Sequence, residues 1–214
     1  MPVNIRSIKY RRQSRGERTR EEILRIAVDI ASEEGLEGLT IGRLSKVLGM
    51  SKSGLFAHFG SKQDLLLATV KKARDIFHEE VVRMSESVEP GLDMLNAMIA
   101  GWMSYLERDV FPGGCFFSAA SAEFDGRPGP VRNLIAGMTK AWLDKMTQEA
   151  ATAKEKNQID AAEDPEQLAF ELHALVQEAN WAYQLFHKTI SFERARNGIQ
   201  RRLEIAASKA MRYR

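Results

Sequence analysis

The chain has 214 residues, of which 44% are hydrophobic and 28% charged, with a formal net charge of +2. This is an ordinary globular composition for one large domain or two small ones, and too apolar for wholesale disorder. No apolar run approaches the ~18 residues of a membrane-spanning helix, the basic N-terminus lacks the apolar segment of a secretory signal, and a single cysteine, Cys115, excludes an internal disulfide and fits a reducing cytoplasm.

The small net charge hides an asymmetry. Residues 1–62 hold 12 Lys and Arg against 7 Asp and Glu, a net +5, so residues 63–214 carry −3. Most of the excess sits in Arg6, Lys9, Arg11, Arg12, Arg15, Arg18 and Arg20. A basic arm ahead of a mildly acidic body points to a polyanion partner at one end.

The elements in chain order are all helical. Thr19-x-x-Glu22 is a capping-box pattern that predicts the start of a helix with Ile23, Ile26, Ala27, Ile30 and Ala31 on one face, stopped at Gly35. Thr40 is expected to cap a short second helix with Ile41, Leu44 and Leu48 inward, ended by Gly49; Ser51 a third, reaching about His58; and Ser61-x-x-Asp64 a long fourth helix carrying Leu65, Val70, Ala73, Phe77 and Val81. Pro90-Gly91 separates it from a helix burying Leu95, Ile99, Trp102 and Leu106, which Pro112-Gly113-Gly114 breaks. A small-residue helix near 115–124, one over 131–154, one opened by Asp164-Pro165 and a last one starting at Ser191 complete the chain. Alternating β-branched runs are missing. The prediction is an all-α protein of about nine helices, short ones in front and longer ones behind.

The informative segment is Thr40 to Lys62, TIGRLSKVLGMSKSGLFAHFGSK. Two short helices joined by the tight turn Gly49-Met50-Ser51 make a helix-turn-helix, with Ile41, Leu44, Leu48, Leu55 and Phe59 as its small core. Lys52, Ser53 and His58 are left for the outer face, and a rigid helix showing short polar and basic side chains fits a B-DNA major groove.

In these residues, with their caps, turn glycine, Gly-Leu-Phe-x-His-Phe and Ser-Lys at fixed offsets, the sequence resembles the tetracycline-repressor (TetR) family of transcriptional regulators. The resemblance is strong over about 18–78 and weaker over 114–132. It implies a basic arm at 1–17, a DNA-binding domain at 18–78 with its helix-turn-helix at 41–60, and an effector-binding and dimerisation domain at 79–214. Together with the chemistry of the side chains it assigns Thr40, Ser51, His58 and Lys62 to phosphates, Lys52 to a base edge, most naturally guanine, and Arg43 to backbone or base. Ser53 and Gly54 open the recognition helix with Lys52, and Phe56 stands where many members carry Tyr, which removes a phosphate hydrogen bond. The implied function is a ligand-responsive regulator, a repressor in the first instance, that binds a palindromic operator as a homodimer and is released by a small, mostly apolar effector. The alternative is an all-α DNA-binding or interaction protein controlled by a protein partner.

In the back half, Trp102, Tyr105, Phe117, Phe124, Trp142 and Trp181 are bulky side chains beside the slim Ser118–Ala122 stretch, a combination that encloses cavities, with Glu123, His173 and Gln177 as polar contacts for an effector. The near-heptad series Phe192, Ala195, Ile199, Leu203, Ala206 and Ala210 is a candidate dimer face, as is the mixed face of the preceding helix.

Enzyme signals are poor. His78-Glu79-Glu80-Val81-Val82 lacks the second histidine of a zinc-protease helix, Phe59 replaces a glycine that a phosphate loop requires, and Cys115 has no evident histidine beside it. The four histidines lack metal spacing. Neither an enzyme activity nor a metal or other cofactor is expected.

Overall fold

The computed structural model describes residues 15–207. Among them are nine α-helices: α1 (Arg15–Glu34), α2 (Ile41–Leu48), α3 (Lys52–Phe59), α4 (Lys62–Phe77), α5 (Leu92–Glu107), α6 (Phe116–Phe124), α7 (Pro130–Glu155), α8 (Pro165–Phe186) and α9 (Ile190–Ala206). α4 runs on through a π-helical turn, His78–Val82, and a short α-helical end, Arg83–Ser85. The described residues hold no strand, only an isolated antiparallel bridge between Ile159 and Ala207. The all-α prediction agrees with this architecture.

The front of the molecule is punctuated by its own sequence. Thr40 accepts the Arg43 amide (3.0 Å), Ser51 that of Gly54 (3.1 Å) and Ser61 that of Asp64 (3.0 Å), each hydroxyl satisfying one of the amides that a helix start leaves unpaired. Gly49 takes φ +63°, the left-handed conformation that turns α2 sharply into α3 and that a side chain would disfavour. Ile41, Leu44, Leu55 and Phe59 are buried in one core with Leu24, Ala27, Val28 and Ala31 of α1, while Leu48 is half-buried.

Two predicted boundaries differ. The capping box at Thr19 is not formed: the chain is already helical at Arg15, and the Thr19 hydroxyl donates to the Arg15 carbonyl one turn back (3.1 Å). Helix-compatible residues ahead of Thr19 extend the helix and remove the free amides that a cap would serve. Arg15, Arg18 and Arg20 therefore belong to α1, and Arg20 lays its guanidinium over the Phe59 ring (4.6 Å). The remaining arm residues Arg6, Lys9, Arg11 and Arg12, like Ala210, lie outside the described residues. The last helix starts at Ile190 rather than Ser191.

Behind this head, α4 packs on α1 at one end and on α7 at the other, so one rod crosses the expected boundary at residue 78. α5 packs on α7, on α8 and on the π-helical turn of α4; α6 lies against α1 and α7; α8 packs on α7 and α9. The Pro112-Gly113-Gly114 break presses onto α1: a Cβ at Gly113 would lie 1.8 Å from the Ser32 carbonyl oxygen, so only glycine permits this approach.

The heptad face of α9 is turned inward. Phe192, Ala195, Ile199 and Ala206 are buried within the chain and Leu203 is half-buried, so these residues are not free for a partner. A near-heptad apolar stripe serves any neighbouring helix, and here α8 of the same chain takes it. Of the exposed large apolar side chains, Phe170, Trp181, Leu185 and Phe186 lie on α8 and Ile190 and Ile205 at the two ends of α9.

Candidate nucleic-acid interface and effector cavity

The starts of α2 and α3 share one exposed face. Thr40, Gly42, Ser51, Lys52 and Ser53 are all exposed, and the Lys52 stem passes over Gly42, whose missing Cβ would sit 3.9 Å from it. The Ser51 and Ser53 hydroxyls stand 3.2 Å apart. Two helix N-termini with their hydroxyls and the exposed Lys52 make a positive, hydrogen-bond-donating edge suited to phosphate and base edges. Gly54 is half-buried, Phe56 is 48% exposed, and His58 is half-buried with its ring tilted against Phe59 (6.3 Å).

Two of the predicted cations are held by carboxylates of the head. Arg43 makes a forked hydrogen bond from Nε to both Glu34 oxygens (3.0 Å each), and this bond holds the Glu34 carboxyl below its ordinary range. Lys62 Nζ contacts Glu37 through its carboxylate (3.1 Å) and its carbonyl (3.2 Å). A phosphate reaching either cation competes with these partners.

The loop between α1 and α2 is held from the body. The carboxylate of Glu123, at the end of α6, accepts the Leu36 amide (2.7 Å) and the Glu37 amide (2.8 Å). At the other end of α6, the Gly113 amide meets the Ser32 hydroxyl (3.2 Å). The start of α6 is in turn fixed to α8, with the Cys115 amide on the Asn180 side chain (3.0 Å) and Ser118 bonded to Gln177. Glu123 is thus a fastening between head and body, and it does not line the cavity described below. Its role was invisible in the sequence, because the loop that it grips lies 86 and 87 positions away.

A cavity of about 320 Å³ opens between α4, α5, α6, α7 and α8. Of the predicted effector residues it brings together Trp102, Phe117, Trp142, His173 and Gln177, and it adds Phe77, His78 and Val82 from the end of α4, Cys115 and Ser118 from α6, and Met138 and Thr139 from α7. The rings meet edge to face: Phe77 with Trp142 (5.1 Å), Trp102 with Trp142 (5.8 Å) and Phe77 with Phe117 (6.1 Å). Burial pushes the His173 imidazole below its ordinary value, which favours its neutral form.

Tyr105, Phe124 and Trp181 do not line this cavity. Tyr105 is buried in the core behind it, edge-on to Phe77 and Phe111, and burial pushes its hydroxyl up. Phe124 packs into the core under the Arg127 guanidinium (5.5 Å), and Trp181 is 54% exposed on the outer face of α8, edge-on to Phe186. Periodicity places such residues on a helix face without saying what that face meets. Among the described residues no group of three metal-ligating side chains converges, and no helix is long and apolar enough to cross a membrane.

Comparisons with known proteins fit this geometry. Residues 23–69 match the family of bacterial regulatory proteins, tetR family, and residues 91–199 match the tetracyclin repressor-like C-terminal domain. The HTH-type transcriptional repressor AcnR of Corynebacterium glutamicum is 37% identical over 93 residues, which is 40% of this chain and 46% of that repressor, so the match spans less than half of the relative's length. A TetR transcriptional regulator from Chloroflexus aurantiacus has the same fold, with a TM-score of 0.83 at 22% identity over 90% of this chain and 98% of that one. The fold also matches AibR, solved in complex with isovaleryl coenzyme A and operator DNA, with a TM-score of 0.67 at 22% identity over 84% of this chain and 95% of that one. Relatives and matched families are transcriptional regulators and not enzymes.

Proposed function

The chain belongs to the tetracycline-repressor family of transcriptional regulators, and from that premise we propose that it is a ligand-responsive repressor. In this reading it acts in the cytoplasm, binds a palindromic operator as a homodimer through α3 and the starts of α2 and α4, and lets go when a small, mostly apolar molecule enters the cavity. The observation that carries the proposal is the position of α4. Its first turns support the helix-turn-helix, and its far end supplies Phe77, His78 and Val82 to the cavity wall. A molecule that binds one arrangement of this wall better than another shifts the population of α4 positions, and the reading heads move with it. α6 offers a second link, since it contributes Phe117 and Ser118 to the wall and Glu123 to the head.

The dimer in this proposal uses the outer face of α8, where Phe170, Trp181, Leu185 and Phe186 are exposed, in place of the α9 stripe. A two-fold pair on successive major grooves sets the recognition helices ~34–36 Å apart. The operator-bound, ligand-bound AibR structure supports both halves of the reading by likeness of fold.

The test is a fluorescence-anisotropy titration with DNA from upstream of the chain's own gene, repeated against a small-molecule library. Binding to that DNA, reversed by a compound, is the expected result. Failure to bind it at low salt contradicts the proposal, and binding that no compound reverses favours control by a protein partner.

A further inference from the structure

With the cavity as the effector site and α8 as the dimer face, a reading taken over from the proposed function, the two have one wall in common. Ser118 of α6 and Gln177 of α8 line the cavity, and the same two side chains line a second, open groove between the outer faces of α6 and α8. Their hydrogen bond spans the partition, which is there one pair of side chains thick. On the groove side the pair is flanked by Ala119 and Ala122 of α6 and Ala174 of α8, all exposed, with Trp181 and Leu185 standing beside them.

This face is complementary to itself. Phe170, Ala174, Gln177, Trp181 and Leu185 follow one another at steps of four, three, four and four residues, which keeps them on one stripe of the helix. Two copies of α8 laid antiparallel about a two-fold axis between Gln177 and Glu178 bring together positions equally far from that axis. Each bulky Trp181 then meets the small Ala174, and Phe170 meets Leu185. The same pairing sets the exposed Glu166, at the start of α8, near the exposed Lys188 beyond its end. Parallel pairing would instead stack Trp181 on Trp181 and Glu166 on Glu166. Projection and slot on one patch, with opposite charges at its two ends, fit a second copy of this chain.

We infer that the partner subunit closes the outer side of the effector cavity. Seated in the groove between α6 and α8, it packs on the Ser118–Gln177 pair and fixes the rotamers that keep this wall shut. In a lone subunit the pair faces water, which competes for its hydrogen bond and lets the wall open. Ligand binding and dimerisation are therefore linked: the factor by which pairing tightens the ligand is the factor by which the ligand tightens pairing.

Sedimentation equilibrium and calorimetric titration of the full chain with n-butylbenzene or butyrophenone test this, comparing wild type with Trp181→Glu and, as a second exposed site on the same stripe, Leu185→Glu. The variants are expected to sediment as monomers and to bind the probes about fivefold more weakly than the wild-type dimer, as the loss of one net hydrogen bond provides. Ser118→Ala removes the bond without touching the stripe, and adding it to both wild type and Trp181→Glu should bring their difference under about twofold. Variants that still dimerise overturn the seat on α8, and with it the dimer face proposed above. Monomers that bind the probes as tightly as the dimer overturn the closure while leaving the dimer face and the cavity in place. A difference undiminished by Ser118→Ala overturns the role of this pair. Binding of neither probe to wild type overturns the mostly apolar effector on which the inference rests.

Discussion

The head and the body solve one problem in opposite ways. In the head, the helix starts α2, α3 and α4 are each capped by the hydroxyl immediately ahead of them, Thr40, Ser51 and Ser61. In the body, α5 begins with the Gly91 amide on Glu149 (2.8 Å) and the Leu92 amide on Gln158 (2.9 Å), and α6 begins with the Cys115 amide on Asn180. Those caps come from helices and loops far along the chain. Local capping lets a small head form its helices from adjacent residues, whereas distant capping makes the starts of α5 and α6 depend on the assembled tertiary structure of the body, where α8 alone keeps a local side-chain cap among the described helices. Glu123 extends the second device across the junction and holds a head loop from the body.

The largest effect is expected where a distant cap is buried. Glu149→Ala should cost about 3 kcal/mol in urea denaturation, because it strands the Gly91 amide and removes a side chain that is 3% exposed. The loss stays below that of a fully buried ion pair because the orphaned Lys145 is 44% exposed and finds water. Glu123→Ala should cost about 2 kcal/mol and speed hydrogen exchange at the Leu36 and Glu37 amides more than about tenfold. If both amides stay protected, the head does not depend on the body in this way. Ser51→Ala, a local cap on an exposed turn, should cost only about 1 kcal/mol. A cost equal to that of Glu149→Ala would erase the distinction between the two regions.

The smallest effect is a pH dependence confined to the body. His173 has its folded-state value pushed below the ordinary 6.5, so its contribution is fully present above about 6.5 and is lost as pH falls toward the lower folded value, where the unfolded chain binds the extra proton. Thermal melts between pH 7.5 and pH 5 should show this decline in the wild type and a shallower one in His173→Gln.

The same contrast explains what the sequence reveals. The helix-turn-helix is legible because its determinants are adjacent: Thr40, Gly49 and Ser51 act on residues within a turn of themselves. The start of α8 is legible for the same reason, since the Asp164 side chain accepts the Glu166 amide (3.0 Å) beside Pro165. Thr19 shows the limit of such signals, because a cap pattern inside a helix that has already begun does nothing. The cavity wall is half legible. Trp102, Phe117, Trp142, His173 and Gln177 do meet, but Phe77 and Thr139 join them through packing that periodicity does not specify. Glu123 looks like a polar contact for a ligand until the fold brings two backbone amides to it. The α9 stripe is equally ambiguous, since Phe192 and Ala195 suit an intramolecular neighbour as well as a partner.

The central claim, that α3 with Lys52 at its start reads DNA, is tested most directly by measuring affinity for the upstream DNA across a salt series with wild type and Lys52→Ala. The expected result is a wild-type log K that falls with log salt by about 0.9 per neutralised phosphate, and a variant weaker by about 1–3 kcal/mol on the preferred sequence. Affinity indifferent to salt, or a Lys52→Ala variant that binds the same sequence as tightly as wild type, would contradict it.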